Sequence, residues 1–214
     1  MKKIGVFISC LLLVVVCMSM IEQSDTYTAM KDIPGFKTKL NQKNQSITSL
    51  KCDFVQEKSL TFMAQKVISK GNMKYKKPDM MKLEYTTPFQ YIMALYKGKV
   101  IIKDNGKVNK YDSKSNKLFK YVNDLMIKAV QGNVLDSKDF SIVFKENSKT
   151  YLMEMTPVDP AMKDYVSSVN VYVDKADLGV VKVGMTEKSG DYTLISFINR
   201  IYNTTLKDEE FLVQ

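Results

Sequence analysis

The chain has 214 residues, 32 Lys+Arg against 23 Asp+Glu for a formal net charge of +9, and neither histidine nor tryptophan. The missing histidine excludes Ser-His-Asp and Cys-His nucleophilic machinery and histidine-bearing metal sites, and neither GxxxxGK[ST] nor GxGxxG occurs to cradle a phosphate. Arg200 is the only arginine, so the excess charge is lysine charge; it reads as a solvated surface weakly attracted to anionic lipid headgroups, not as a reader of nucleic acid, which favours arginine.

Lys2 and Lys3 precede an apolar run, Ile4–Met18, which falls short of the roughly 20 residues that a membrane-spanning helix needs. Small Ser19 and the polar stretch Glu22-Gln23-Ser24-Asp25 follow. This is the pattern of a secretory signal peptide over residues 1–19, cut after Ser19. A partly irregular segment over 20–35 then leads into one domain over 36–214. Removing residues 1–19 takes away two lysines, which lowers +9 to +7, and also Cys10 and Cys17. Cys52 is then the sole cysteine, so no internal disulfide forms and the exported domain rests on its core. The alternative reading makes Cys17 a lipidated residue that anchors the chain to a membrane.

Pro34-Gly35 is read as interrupting any helix in the segment before Phe36. Phe36, Leu40 and Ile47 recur at near-helical spacing and predict a short helix over 36–47. From Leu50 the period changes to two, with Leu50, Cys52 and Phe54 alternating against Lys51, Asp53 and Val55. Further strands are predicted at Val67–Tyr75, Met80–Thr86, Tyr91–Tyr96, Val100–Lys103 and Lys107–Tyr111. The last two are joined by Asp104-Asn105-Gly106, a strong hairpin signal because Asn-Gly tolerates positive φ. Leu118, Phe119, Val122, Leu125, Met126, Ala129 and Val130 then form an apolar helical stripe, with Ser115 or Asn116 to cap its start and Gly132 to end it. Strands resume at Phe140–Phe144, Tyr151–Met155, Val166–Val173, Val180–Thr186 and Tyr192–Tyr202. The expected fold is α+β and mostly β: about ten antiparallel strands in one strongly curved sheet, with two helices packed on or covering its concave side. Periodicity leaves open whether that side is filled or hollow.

Nothing in the chain looks catalytic, and no cofactor or metal is implied. Asp53 with Glu57, and Glu209 with Glu210, read as solvated carboxylates. Cys52 shares an apolar face with Leu50 and Phe54 and reads as an inert buried thiol. Eleven of the fourteen methionines lie from Met30 onward; methionine suits a wall that must accept variable apolar shapes, and it is equally an ordinary gap filler.

Three stretches together resemble the LolA family, the periplasmic carriers of outer-membrane lipoproteins. Leu50-Lys51-Cys52-Asp53-Phe54-Val55-Gln56 is similar to the family's opening strand with its Phe-x-Gln ending. Gly71-Asn72-Met73-Lys74-Tyr75-Lys76-Lys77-Pro78-Asp79 matches its Gly-x-φ-x-φ-x-[Lys/Arg]-Pro-[Asp/Asn] segment, followed by Met81, Leu83 and Tyr85 at apolar positions and Thr87-Pro88 at the strand's end. Asn203 to Phe211 resembles its Asn-x-x-Leu-x-Asp-x-x-Phe tail. The resemblance implies an incomplete antiparallel β-barrel with a helical lid over an apolar, acyl-binding cavity. The wall would then include Leu50, Cys52, Phe54, Met73, Tyr75, Met81, Leu83 and Tyr85. Leu40 and Ile47 on the first helix, and Leu118, Phe119, Val122, Leu125 and Met126 on the lid, would face it. Lys77 stands where the family usually has an arginine that ties the lid shut, so the latch is expected to be looser or made by other groups.

By the same resemblance, the implied partners are acylated lipoproteins, an inner-membrane release complex and an outer-membrane receptor, with the carrier a monomer. Two other readings stay open at this point: a lipid-binding paralogue that is a carrier of another lipid or an anchored sensor, and a solid-core module whose lysine surface docks an acidic partner.

Overall fold

The computed structural model of the chain describes residues 26–112, 135 and 138–213. Its architecture is one open, wholly antiparallel sheet of twelve strands: β1 (Thr28–Ala29), β2 (Ser49–Ser59), β3 (Val67–Lys76), β4 (Met80–Thr87), β5 (Tyr91–Tyr96), β6 (Lys99–Asp104), β7 (Lys107–Asp112), β8 (Phe140–Glu146), β9 (Thr150–Pro157), β10 (Val166–Asp174), β11 (Val180–Glu187) and β12 (Tyr192–Tyr202). The spatial order is β1-β8-β9-β10-β11-β12-β2-β3-β4-β5-β6-β7. Two meanders, β2–β7 and β8–β12, are therefore stitched together where β12 pairs with β2, Phe197 opposite Phe54. The alternation that predicts these strands is the pleat itself, in which successive side chains take opposite faces. The strand that alternation did not announce is β1, two residues held on the edge of β8 with Thr28 opposite Glu146. The predicted second helix, with Leu118, Phe119, Val122, Leu125 and Met126, lies outside the described residues.

The first helix, α1, spans Ile33–Ser46, so Pro34-Gly35 opens it and does not interrupt it. A proline in the first turn loses nothing, because its missing N–H would have no partner inside the helix. The Asp32 carboxylate caps that turn by accepting from the Gly35 N–H at 2.9 Å. A Cβ on residue 35 would stand 2.0 Å from that carboxylate, so glycine leaves the cap its place. The buried stripe of α1, Phe36, Leu40 and Asn44, faces the sheet.

The face that receives α1, called the inner face below, carries two apolar clusters. One gathers Leu50, Cys52, Phe54, Met73, Tyr75, Met81, Leu83, Leu95, Val100 and Phe197, with Ile47 just past the end of α1. The other gathers Phe36 and Leu40 of α1 with Met153, Met155, Val169, Val171 and Val173. On the outer face the C-terminal segment covers β4 and β5: Leu206 and Phe211 bury Met80, with Tyr96 packed alongside. Lys76 holds that segment through the Leu206 carbonyl (2.8 Å) and Asp208 (2.6 Å), and Lys74 through Glu210 (2.8 Å). These pairs lie at the surface, so the apolar contacts beneath them contribute most of the stability.

Candidate functional site

The register turns the alternation of single strands into rows that cross the sheet. One row runs Leu50, Tyr75, Met81, Leu95, Val100 over β2 to β6. A second runs Cys52, Met73, Leu83, Met93, Ile102, and a third runs Phe197, Phe54, Gly71, Tyr85, Tyr91 from β12 to β5. Every residue in these rows is uncharged. Beyond β12 the same face continues through Ile195, Val183, Val171 and Met153, and through Met185, Val169 and Met155. Met73, Met81, Met93, Met153, Met155 and Met185 thus all line one surface, where an unbranched, polarizable side chain adapts easily to what it touches.

Exposure along the rows is graded. The first row is buried throughout, with Tyr75 at 0 % and Leu50, its most exposed member, at 7 %. In the second row Cys52, Met73 and Leu83 are buried while Met93 and Ile102 are half-buried. In the third, Gly71, Tyr85 and Tyr91 are half-buried, and toward the strand ends Val67 and Thr87 are exposed. The inner face is therefore closed at the end near Pro78 and opens toward the β2–β3 and β4–β5 loops.

Near the open end the apolar rows give way to polar groups, with Asp104 opposite Tyr91 and Lys58 paired to Glu187 at 3.1 Å. The Tyr85 hydroxyl donates to Gln56 Oε1 at 3.0 Å, and its ring stands edge-on to Phe54 and Tyr91. Burial, reinforced by Tyr91, pushes the Tyr85 phenol up to about 12. Burial likewise raises Tyr91, helped by Asp104. The Cys52 thiol is pushed up to about 12 by burial and by Asp53, against a smaller pull from Arg200. A thiol held protonated is no nucleophile, and among the described residues no group of three or more Asp, Glu, His or Cys could hold a metal ion. The chemistry this surface offers is apolar contact.

The sequence-named residues Ile47, Leu50, Cys52, Phe54, Met73, Tyr75, Met81 and Leu83 come together in one cluster, with Tyr85 packed against it. Leu40 does not join them; it lies in the neighbouring cluster with Phe36. Leu95, Val100 and Phe197, and the whole row from Met153 to Ile195, were not named from sequence, although the strands bearing them were. The missing information was the register.

Lys77 closes the corner between β3 and β4 onto α1. Its Nζ donates to the carbonyls of Asn44 (2.8 Å) and Gln45 (3.2 Å), and its backbone N–H to Thr48 O (2.9 Å). The Asn44 and Gln45 carbonyls belong to the last turn of α1, where the Ile47 N–H also reaches Asn44 O, at 3.3 Å, and a cation suits them twice over, as donor and as countercharge to the helix dipole. Asn203 adds a second tie: its Nδ2 donates to Ser46 O (3.0 Å) and its Oδ1 accepts from Thr48 N (2.8 Å). Other groups thus share the work with lysine at this corner.

The family model described as "Outer membrane lipoprotein carrier protein LolA" matches residues 45–214. Among solved structures, the fold is similar to a LolA superfamily protein from Nitrosomonas europaea (10 % identity, TM-score 0.43, 83 % of this chain and 97 % of that one). It is also similar to a putative outer membrane lipoprotein-sorting protein domain from Vibrio parahaemolyticus (11 %, 0.47, 83 % and 94 %) and to the lipoprotein LppX from Mycobacterium tuberculosis (7 %, 0.42, 82 % and 99 %). No curated protein matches the chain.

Proposed function

This chain belongs to the LolA family of outer membrane lipoprotein carrier proteins, and on that premise we propose that it binds the acyl chains of lipoproteins against its inner face and ferries them through the periplasm from inner to outer membrane. The observation that carries the reading is the set of three facing uncharged rows, two over β2–β6 and one over β12 and β2–β5, closed at one end and half-open at the other.

The energetic need is large. An acyl chain loses about 0.8 kcal/mol per methylene on exposure to water, so a sixteen-carbon chain is worth on the order of 12 kcal/mol. A carrier must cover that surface without exposing an equally large apolar trough of its own when empty. A wall whose side chains pack on one another and on covering helices when empty, and give way to cargo when loaded, satisfies both demands. In this reading residues 1–19 direct export and are removed, and Leu118, Phe119, Val122, Leu125 and Met126 supply the cover. Lys77 and Asn203 keep α1 seated while the cover lifts. A partner at the inner membrane loads the monomer, and a receptor with a better acyl site unloads it; no bond is made or broken.

The test is to purify the exported protein and look for bound acyl chains by native mass spectrometry, then to titrate a fluorescent fatty acid. Met93→Asp and Ile102→Asp each place a carboxylate on the half-buried part of the wall, where folding tolerates it. Both should release the probe while far-UV circular dichroism stays unchanged. Retention of probe and lipid in both folded variants would show that cargo does not use this surface.

A further inference from the structure

The turns at the two ends of the sheet differ in kind. At the closed end they read Lys77-Pro78-Asp79, Lys97-Gly98, Asn147-Ser148-Lys149 and Lys175 to Gly179, and none of them exposes a large apolar side chain. At the open end, the β2–β3 loop exposes Phe62 (79 %) and Met63, the β4–β5 loop exposes Phe89 (79 %), and the β9–β10 connection exposes Val158 and Tyr165. Free phenylalanine at that exposure gains nothing for the fold, and a concentration of apolar side chains on one end marks a contact surface.

The form of this surface indicates its occupant. The apolar groups stand on separate hairpin tips, with the roots of the two phenylalanine hairpins about 10 Å apart across two strand spacings. A rigid protein partner would need a matching socket for each tip, whereas a fluid bilayer interface closes around any of them, and aromatic rings settle at headgroup level. Exposed Lys70 and Lys107 stand at the same end, with Lys66 in an exposed pair with Glu57 (2.9 Å), where anionic headgroups would meet them.

We propose that this end of the sheet is a membrane-contacting surface. Phe62 and Phe89 enter the interfacial zone of an anionic phospholipid bilayer, and the three lysines face its phosphates. The contact presents the open end of the inner face to lipid, so that a chain passing between bilayer and wall need not cross water. The contact itself does not depend on the carrier reading; only this use of it does.

The chain has no tryptophan, so a single introduced one reports its own surroundings. The exported protein carrying Phe62→Trp, Phe89→Trp or, at the closed end, Lys149→Trp is mixed with vesicles of phosphatidylethanolamine and phosphatidylglycerol, with and without brominated acyl chains, and with phosphatidylcholine vesicles. The two tip probes are expected to shift to the blue and be quenched in anionic vesicles, less so in phosphatidylcholine or high salt, while the Lys149→Trp probe is unaffected. Phe62→Ser with Phe89→Ser should weaken cosedimentation roughly tenfold or more, given the apolar area removed, with circular dichroism unchanged. Absence of shift and quenching in anionic vesicles, equal quenching at position 149, or a double variant that sediments like the parent would each overturn the proposal. Acyl-probe retention measured without vesicles reports on the wall alone, so failure of one reading is distinguishable from failure of the other.

Discussion

Gly71→Ala should be among the most damaging small substitutions in this sheet, and the reason is geometric. A Cβ at position 71 would lie 2.2 Å from the Glu84 carbonyl oxygen and 2.7 Å from Cζ of Phe54. The phenyl ring has somewhere to go; the carbonyl belongs to the β4 backbone and does not. Relief therefore requires parting β3 from β4 just where their register already shifts between Lys70 and Gly71. Overpacking of well-packed sites costs about 1–3 kcal/mol and occasionally more, and an obstacle made of backbone belongs at the upper end, about 3 kcal/mol. For a chain of this size that is about 6–12 °C in Tm. Gly184→Ala is the internal control. Its Cβ would meet the Tyr192 hydroxyl at 2.5 Å, the far end of a partly exposed side chain that swings aside. The entropy removed from the unfolded chain offsets much of the rest, so the net change stays within about 1 kcal/mol. Urea unfolding followed by circular dichroism measures both variants. A Gly71→Ala loss below about 1 kcal/mol, or a Gly184→Ala loss as large as that at Gly71, would refute the distinction between backbone and side-chain obstacles.

Two further outcomes follow from the corner and the wall. Lys77→Met keeps the stem but removes the donors to Asn44 O and Gln45 O, so about 1–2 kcal/mol should be lost. Hydrogen exchange at the end of α1 should accelerate while β2–β4 stays protected, and Lys77→Arg should restore protection; unchanged exchange in Lys77→Met would mean that Asn203 suffices. Cys52, with its thiol held up to about 12, should resist alkylation in native protein lacking residues 1–19 even at its ordinary titration near 9.0, and react fully in denaturant; native labelling whose rate climbs with pH toward that value would contradict the burial.

Part of the site was legible before any coordinates. Leu50, Cys52 and Phe54 declare a face, as do Met73 with Tyr75 and Met81 with Leu83, because the pleat sends alternate residues to one side whatever the strand pairs with. Leu95, Val100 and Phe197 obey the same alternation but join the cluster only through pairings that no local pattern states. Pro34-Gly35 misled because proline and glycine punctuate turns and also suit a helix's first turn; the Asp32 cap decides between the two.

Local pattern by itself settled that this chain runs as antiparallel strands joined by short turns, with Cys52 on a buried apolar face, since alternation and turn residues are properties of neighbours along the chain. Tertiary structure alone decided which residues share a row, where α1 rests and which end of the inner face opens. Those depend on the joining of β12 to β2, segments some 140 residues apart, and the register of such a pair is chosen by the burial of both faces at once.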